Sequence, residues 1–143
     1  MVHTALVSVH FEVVLSCFLR GDTPPAVLAV LRWHLGLSDE RPEGLDPAEH
    51  PSPLLGTDPE SLLPGGDVAS LRHRPHGFED FGPRGVWGLY FRAWWIDDAM
   101  GGLGTVLDLL APHAEDGYGG SFRAEDEVRP TVLVFRDGAY EAA

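Results

Sequence analysis

The chain contains no lysine; all ten of its basic residues are arginine. That absence excludes a Walker-type phosphate lysine, a Schiff-base lysine and a lysine general base. Cysteine is almost as scarce. Cys17 stands alone, so no disulfide can form within the chain. Its neighbours in sequence are apolar, without an adjacent histidine or cation, which predicts a buried, inert thiol. No apolar run approaches the ~18 residues of a membrane helix. The start, Met1-Val2-His3-Thr4-Ala5-Leu6, lacks the basic region of a signal peptide. A cytoplasmic protein with no membrane partner is expected. No serine lies in a Gly-x-Ser-x-Gly elbow, and no carboxylate pair has diagnostic spacing.

Positive charge as a whole is in short supply, since the 143 residues carry a net charge of −12. Phosphate binding needs clustered cations, so nucleic acid is not an expected partner. The acid excess maintains solubility. It also permits an immunity-type inhibitor that neutralises a basic partner. The lysine-free, Arg/Gly/Pro/Ala-rich composition looks like that of a GC-rich, bacterial genome. At this length, with 44% apolar residues, one domain spanning 1–143 can bury a core.

What is abundant is strand-period alternation. From Leu6 to Arg20 the odd positions Val7, Val9, Phe11, Val13, Leu15, Cys17 and Leu19 are all apolar. The even ones include Ser8, His10, Glu12 and Ser16, with Val14 and Phe18 as apolar exceptions. Gly21-Asp22-Thr23-Pro24-Pro25 then predicts a turn and a helix start, with Asp22 or Thr23 as cap. That helix runs to about Leu35 with Val27, Val30, Leu31, His34 and Leu35 on one side, and stops at Gly36. Residues 37–67 are proline-rich, acidic and aperiodic, a long irregular connection of the kind that often serves function.

Val68 to Arg74 reads as a strand. A turn-rich stretch separates it from Gly85-Val86-Trp87-Gly88-Leu89-Tyr90-Phe91-Arg92-Ala93-Trp94-Trp95-Ile96, which holds three of the four tryptophans. One face of this strand, Trp87, Leu89, Phe91, Ala93 and Trp95, is wholly apolar. The other, Tyr90, Arg92 and Trp94, is too aromatic for an ordinary solvated surface. Asp97-Asp98 caps a second helix over about Ala99 to Ala111, striped by Leu103, Val106, Leu107 and Leu110. Strands at Tyr118 to Glu125 and Thr131 to Phe135 follow, and Asp137-Gly138 supplies a turn.

The order β-α-β-β-α-β-β predicts an α+β ferredoxin-like sandwich, an antiparallel sheet with two helices on one face. The opposite face then needs another cover. His10, Glu12, Val14, Phe18, Tyr90, Arg92 and Trp94 would share it, as an interface or a ligand face. Metal-ligand types cluster only at His73, His76 and Glu79, where Pro75 and Gly77 forbid a regular helix and a polar hairpin loop is the plainer reading. Neither a metal nor a cofactor is expected. Met100-Gly101-Gly102-Leu103-Gly104-Thr105 lacks the spacing and the lysine of a phosphate cradle, and Asp97 and Asp98 would repel a phosphate. His34 reads as a satisfied, semi-buried histidine.

The segments Phe18 to Pro25, Trp94-Trp95-Ile96-Asp97-Asp98 into a helix ending Ala111-Pro112, and Glu125 to Pro130 resemble those of a group of small bacterial α+β proteins. The resemblance spans most of the chain outside the long loop. That group has no established activity, so the resemblance implies a fold and nothing more. At the level of fold the chain is similar to dimeric α/β-barrel proteins, in which two such sheets pack face to face. Some of those are small cofactor-free monooxygenases or ligand binders, but no catalytic signature of theirs is present here.

The leading expectation is therefore a non-catalytic binding or interaction protein, a homodimer through the aromatic sheet face. A small cofactor-free enzyme using His10, Glu12, Tyr90 and Arg92, and the acidic immunity-type inhibitor, are the alternatives.

Overall fold

The computed structural model describes residues 9–75 and 81–143. Residues before Val9 in the first expected strand, together with His76 and Glu79, lie outside that description. Six strands form one open antiparallel sheet: β1 (His10–Arg20), β2 (Val68–Arg74), β3 (Val86–Ile96), β4 (Gly117–Ala124), β5 (Thr131–Arg136) and β6 (Ala139–Ala142). Their order across the sheet is β2-β3-β1-β4-β5-β6. Helix α1 (Pro25–His34) follows β1, and α2 (Gly101–Leu110) follows β3 after a short 3-10 helix, Asp97–Met100.

The odd-numbered face of β1 and β3 is buried as its period demands. Val13, Leu15 and Leu19 join Leu89, Phe91 and Ala93 in a core closed by Leu31 of α1, by Leu35 just after it, and by Leu103, Val106, Leu107 and Leu110 of α2. Both helices thus cover one face of the sheet. Burying each such side chain contributes about 1.5–3 kcal/mol, which makes this layer the main source of stability. Cys17 lies in it, and burial pushes its thiol up to about 12, so it stays protonated.

Several expectations change in detail. Thr23 does not cap α1: its hydroxyl donates to the Arg20 carbonyl at 2.6 Å, closing the turn, and Pro24 stands at the N-cap with Pro25 in the first turn. The buried arc of α1 is Leu28, Leu31, Trp33 and His34, and Val27 and Val30 are only half-buried. The reason is the long loop, which folds back along the helix. The Arg41 guanidinium lies 4.7 Å from the centre of the Trp33 ring. Asp97 and Asp98 make no side-chain cap bond, but they occupy the first turn, where the helix dipole favours negative charge.

β6 is an addition to the seven expected elements. Asp137 and Gly138, both at positive φ, turn the chain, and Ala139–Ala142 pairs back on β5. Only four residues long, β6 shows too little alternation to be legible in sequence.

Residues 37–67 contain no helix or strand, yet they are anchored. The His34 ring does most of this. Its Nδ1 accepts from the Leu54 backbone N–H at 3.0 Å, and its Nε2 lies 3.0 Å from His50 Nδ1. Because Nδ1 accepts, the ring proton of neutral His34 resides on Nε2 and is donated to His50. The Leu55 N–H also bonds the His34 carbonyl, and Leu55 enters the core fully buried. His34 is satisfied on both nitrogens.

Candidate functional site

The face away from the helices carries the even positions. The strand register arranges them in rows running across the sheet. Arg72 pairs with Gly88 and Gly88 with Phe18, and the Phe18 carbonyl accepts from Glu115 N–H. The next row is Ser70, Tyr90 and Ser16; beyond it come Val68, Arg92, Val14 and Ser121. The last is Trp94, Glu12 and Arg123. The register therefore puts Glu12, Val14, Phe18, Tyr90, Arg92 and Trp94 on one surface, with His10 at its edge.

Two regions of this face differ in character. At the Glu12 end the polar groups satisfy one another. Arg92 Nε donates to Glu12 Oε2 at 2.8 Å, and Arg92 Nη1 donates to the Pro64 carbonyl at 2.7 Å. Arg123 approaches the other Glu12 oxygen at 3.6 Å. His10 stacks on Trp94 with ring centres 5.5 Å apart and planes nearly parallel. The loop's last residues reach this end. Asp67 accepts from Ser61 Oγ at 2.6 Å, from Asp58 N–H at 2.9 Å and from Trp94 N–H at 3.2 Å, and so ties the 58–67 segment to the sheet. The indole Nε1 of Trp94 is buried and has no hydrogen-bond partner among the described residues. The chain itself thus provides part of the cover over Arg92 and Trp94.

The other end is more open, although the Phe81 ring packs on Phe18 with ring centres 4.9 Å apart. Phe18 is 42% exposed, Tyr90 40% and Tyr118 53%. They wall a cleft of about 560 Å³ with Gly88 on its floor, Ser16 and Ser70 on its sides, Arg72 and Arg74 on the β2 flank, and Glu115 and Asp116 on the β4 flank. Its volume falls within the ~300–1,000 Å³ of small-molecule sites. The Arg72 guanidinium and the Glu115 carboxylate have no ion pair or hydrogen bond among the described residues.

Reading the sequence alone misses Ser70, Arg72, Glu115, Asp116 and Tyr118. Alternation in β2 does put Ser70, Arg72 and Arg74 on one face, but only the strand order shows that this face continues that of Tyr90. Glu115 reaches Phe18 through a displacement of the β4 register, for which the sequence carries no signal beyond its glycines. Two residues of the metal suggestion, His76 and Glu79, lie outside the described residues; among the described residues there is no group of three or more candidate ligands. His73 points to the helix-covered side, its ring centre 4.8 Å from that of Trp87.

Chemically, the cleft holds hydroxyls, phenols, guanidiniums and carboxylates. The described residues that line it include no histidine, and Cys17, which borders it, is held as a thiol by burial. A second cleft of about 500 Å³, between α2 and β4–β6, is almost entirely apolar, and among the described residues that line it Asp97 alone is charged. No helix among the described residues is long and apolar enough to cross a membrane. Comparison of the chain with protein-family models, with curated proteins and with solved structures finds no match.

Proposed function

We propose that the chain is a non-catalytic α+β binding protein that acts through its open sheet face and pairs there with a second copy of itself. Supporting a ferredoxin-like architecture is the order β2-β3-β1-β4 of the first four strands, with β5 and β6 as an added hairpin. The observation that carries the functional reading is the cluster of Phe18, Tyr90 and Tyr118, each at least 40% exposed, on a face that neither helix covers. Aromatic residues with polar tips are the side chains that interfaces favour.

Catalysis by His10, Glu12, Tyr90 and Arg92 is disfavoured by the engagement of three of them. Glu12 and Arg92 hold each other, and His10 lies flat against Trp94. The volume of the cleft favours a second reading, a small aromatic acid held between Arg72 and the tyrosines. Binding of such a compound by the monomer, lost on Arg72→Ala, would support that reading.

Tyr90→Glu tests self-association, since it puts a carboxylate at the centre of the exposed aromatic patch. Sedimentation velocity at tens of micromolar should show a dimer for the unaltered chain and a monomer for this variant. Val128→Glu, at a 93% exposed position in the β4–β5 turn, should remain dimeric. If Tyr90→Glu keeps the wild-type sedimentation coefficient, the open face is not the interface.

A further inference from the structure

We infer that the two copies pair about a twofold axis lying in the plane between the sheets and running along β1 and β3, so that Arg72 of each copy meets Glu115 of the other. This rests on the pairing proposed above and specifies its geometry.

A self-complementary face must carry its own counterpart at positions exchanged by the axis. Two packed sheets either align their strands within about 30° or cross them near 90°; in the aligned arrangement the twofold axis runs nearly along the strands or nearly across them. An axis across the strands would leave each strand facing its own copy. With that axis centred on the open cleft's row, Arg72 would approach Arg72 and Glu115 would approach Glu115, an arrangement that like charge penalises.

An axis along the strands, between β3 and β1, exchanges the two flanks of the sheet instead. The row Arg72, Gly88, Phe18, Glu115 then meets itself reversed: cation against anion and phenylalanine against glycine. The row beside it behaves in the same way, because Tyr90 would face Ser16. Large residues oppose small ones in both open rows, which is the requirement for close packing across an interface.

Gly88 supplies the hollow. A Cβ built there would stand 3.8 Å from the Phe18 ring, so this ring already leans over it. In the pair, the two Phe18 rings, each over its own Gly88, pack against each other at the axis, and the opposed Gly88 backbone leaves room for them. Strands lie about 4.8 Å apart, so Arg72 and Glu115 sit about 7 Å to either side of the axis. At a 30° crossing the resulting offset is about 4 Å, within the reach of an arginine side chain.

Charge exchange tests this. Arg72→Glu and Glu115→Arg each place two like-charge contacts in the homodimer, and each should weaken it about 10-fold or more. An equimolar mixture of the two variants should form a heterodimer with near wild-type affinity. The chain carrying both substitutions should regain the homodimer. Both sites are exposed, and unchanged circular dichroism and melting would show that the variants fold.

A wild-type dimer that neither substitution weakens would overturn the axis while leaving the face as the interface. So would two weakened variants whose mixture does not recover. A wild-type monomer would leave the face to a different chain or a small molecule, and would remove the pairing itself.

Discussion

Gly120→Ala is expected to lower the melting temperature by about 10–15 °C, among the largest effects a single methyl group can have in a domain of this size. Gly120 sits in β4 at φ 140°, where a Cβ would stand 2.0 Å from the Val14 carbonyl oxygen. Only glycine occupies that backbone region without strain. The contact cannot be relieved by moving a side chain, because the obstacle is the backbone of the central strand. Relief requires β4 to separate from β1, and with it the pairs Leu15–Gly120 and Val14–Ser121. A cost of about 3–5 kcal/mol follows, a large fraction of the total for a typical domain. Gly88→Ala provides the contrast. Its nearest obstacles are at 3.8 Å, ordinary contact, so thermal unfolding should show little change. If the two alanine variants melt alike, Gly120 does not carry the strain that its backbone conformation implies.

The second large effect is a loss of stability in mild acid, caused by His34. This side chain is 1% exposed, and its pKa is lowered to about 4 by burial first, then by the nearby His50 and Arg41. Protonation would also put a hydrogen on Nδ1, the atom that accepts from Leu54 N–H. The unfolded chain takes up this proton near pH 6.5, whereas the folded chain resists it until about 4. Between those values the unfolded state binds more protons, so stability falls as the pH falls. It is fully present above about 6.5, and the loss levels off below the folded value.

The loss amounts to about 3 kcal/mol at most. Urea unfolding at steps from pH 7.5 to pH 4.5 measures it. His34→Gln, which does not titrate and retains an acceptor, should flatten most of the slope. Some of it should remain, because burial also lowers the pKa of His113. An unchanged slope in His34→Gln would show that His34 is not the group responsible.

How much of this was legible in the sequence depended on the range of the interaction involved. Alternation from Phe11 to Leu19 and from Trp87 to Trp95 is a local property, and it correctly divides core from open face. The open-face residues of β1 and β3 were legible for the same reason. Long-range contacts were not. The anchoring of the loop depends on His34 meeting Leu54 and His50, and on Asp67 meeting Trp94, pairs separated by 16 to 27 residues in sequence. No periodic pattern encodes such pairs. His34 itself stood out as a satisfied histidine, but the groups that satisfy it lie within the aperiodic segment. Likewise the β4 flank of the cleft depends on a register shift between Tyr118 and Gly120, where strict alternation fails.

Glu12 shows the limit most clearly. Its place on the open face follows from period two, but its function does not. Its carboxylate lies between Arg92 on one side and Arg123 on the other, paired with both. Those partners belong to two different strands, and only the sheet order brings them to either side of β1. The cleft between Phe18, Tyr90 and Tyr118 is likewise not legible in the sequence, because its Tyr118 flank depends on the strand order. Period two marks the aromatic surface but not its boundaries.

The mass of the unaltered protein in solution tests the central claim most directly. Sedimentation equilibrium across about 1 to 100 μM, a range suited to interfaces of ordinary size, should give twice the 15.6 kDa chain mass at the upper end, with dissociation on dilution. A constant 15.6 kDa across the whole range would contradict the account.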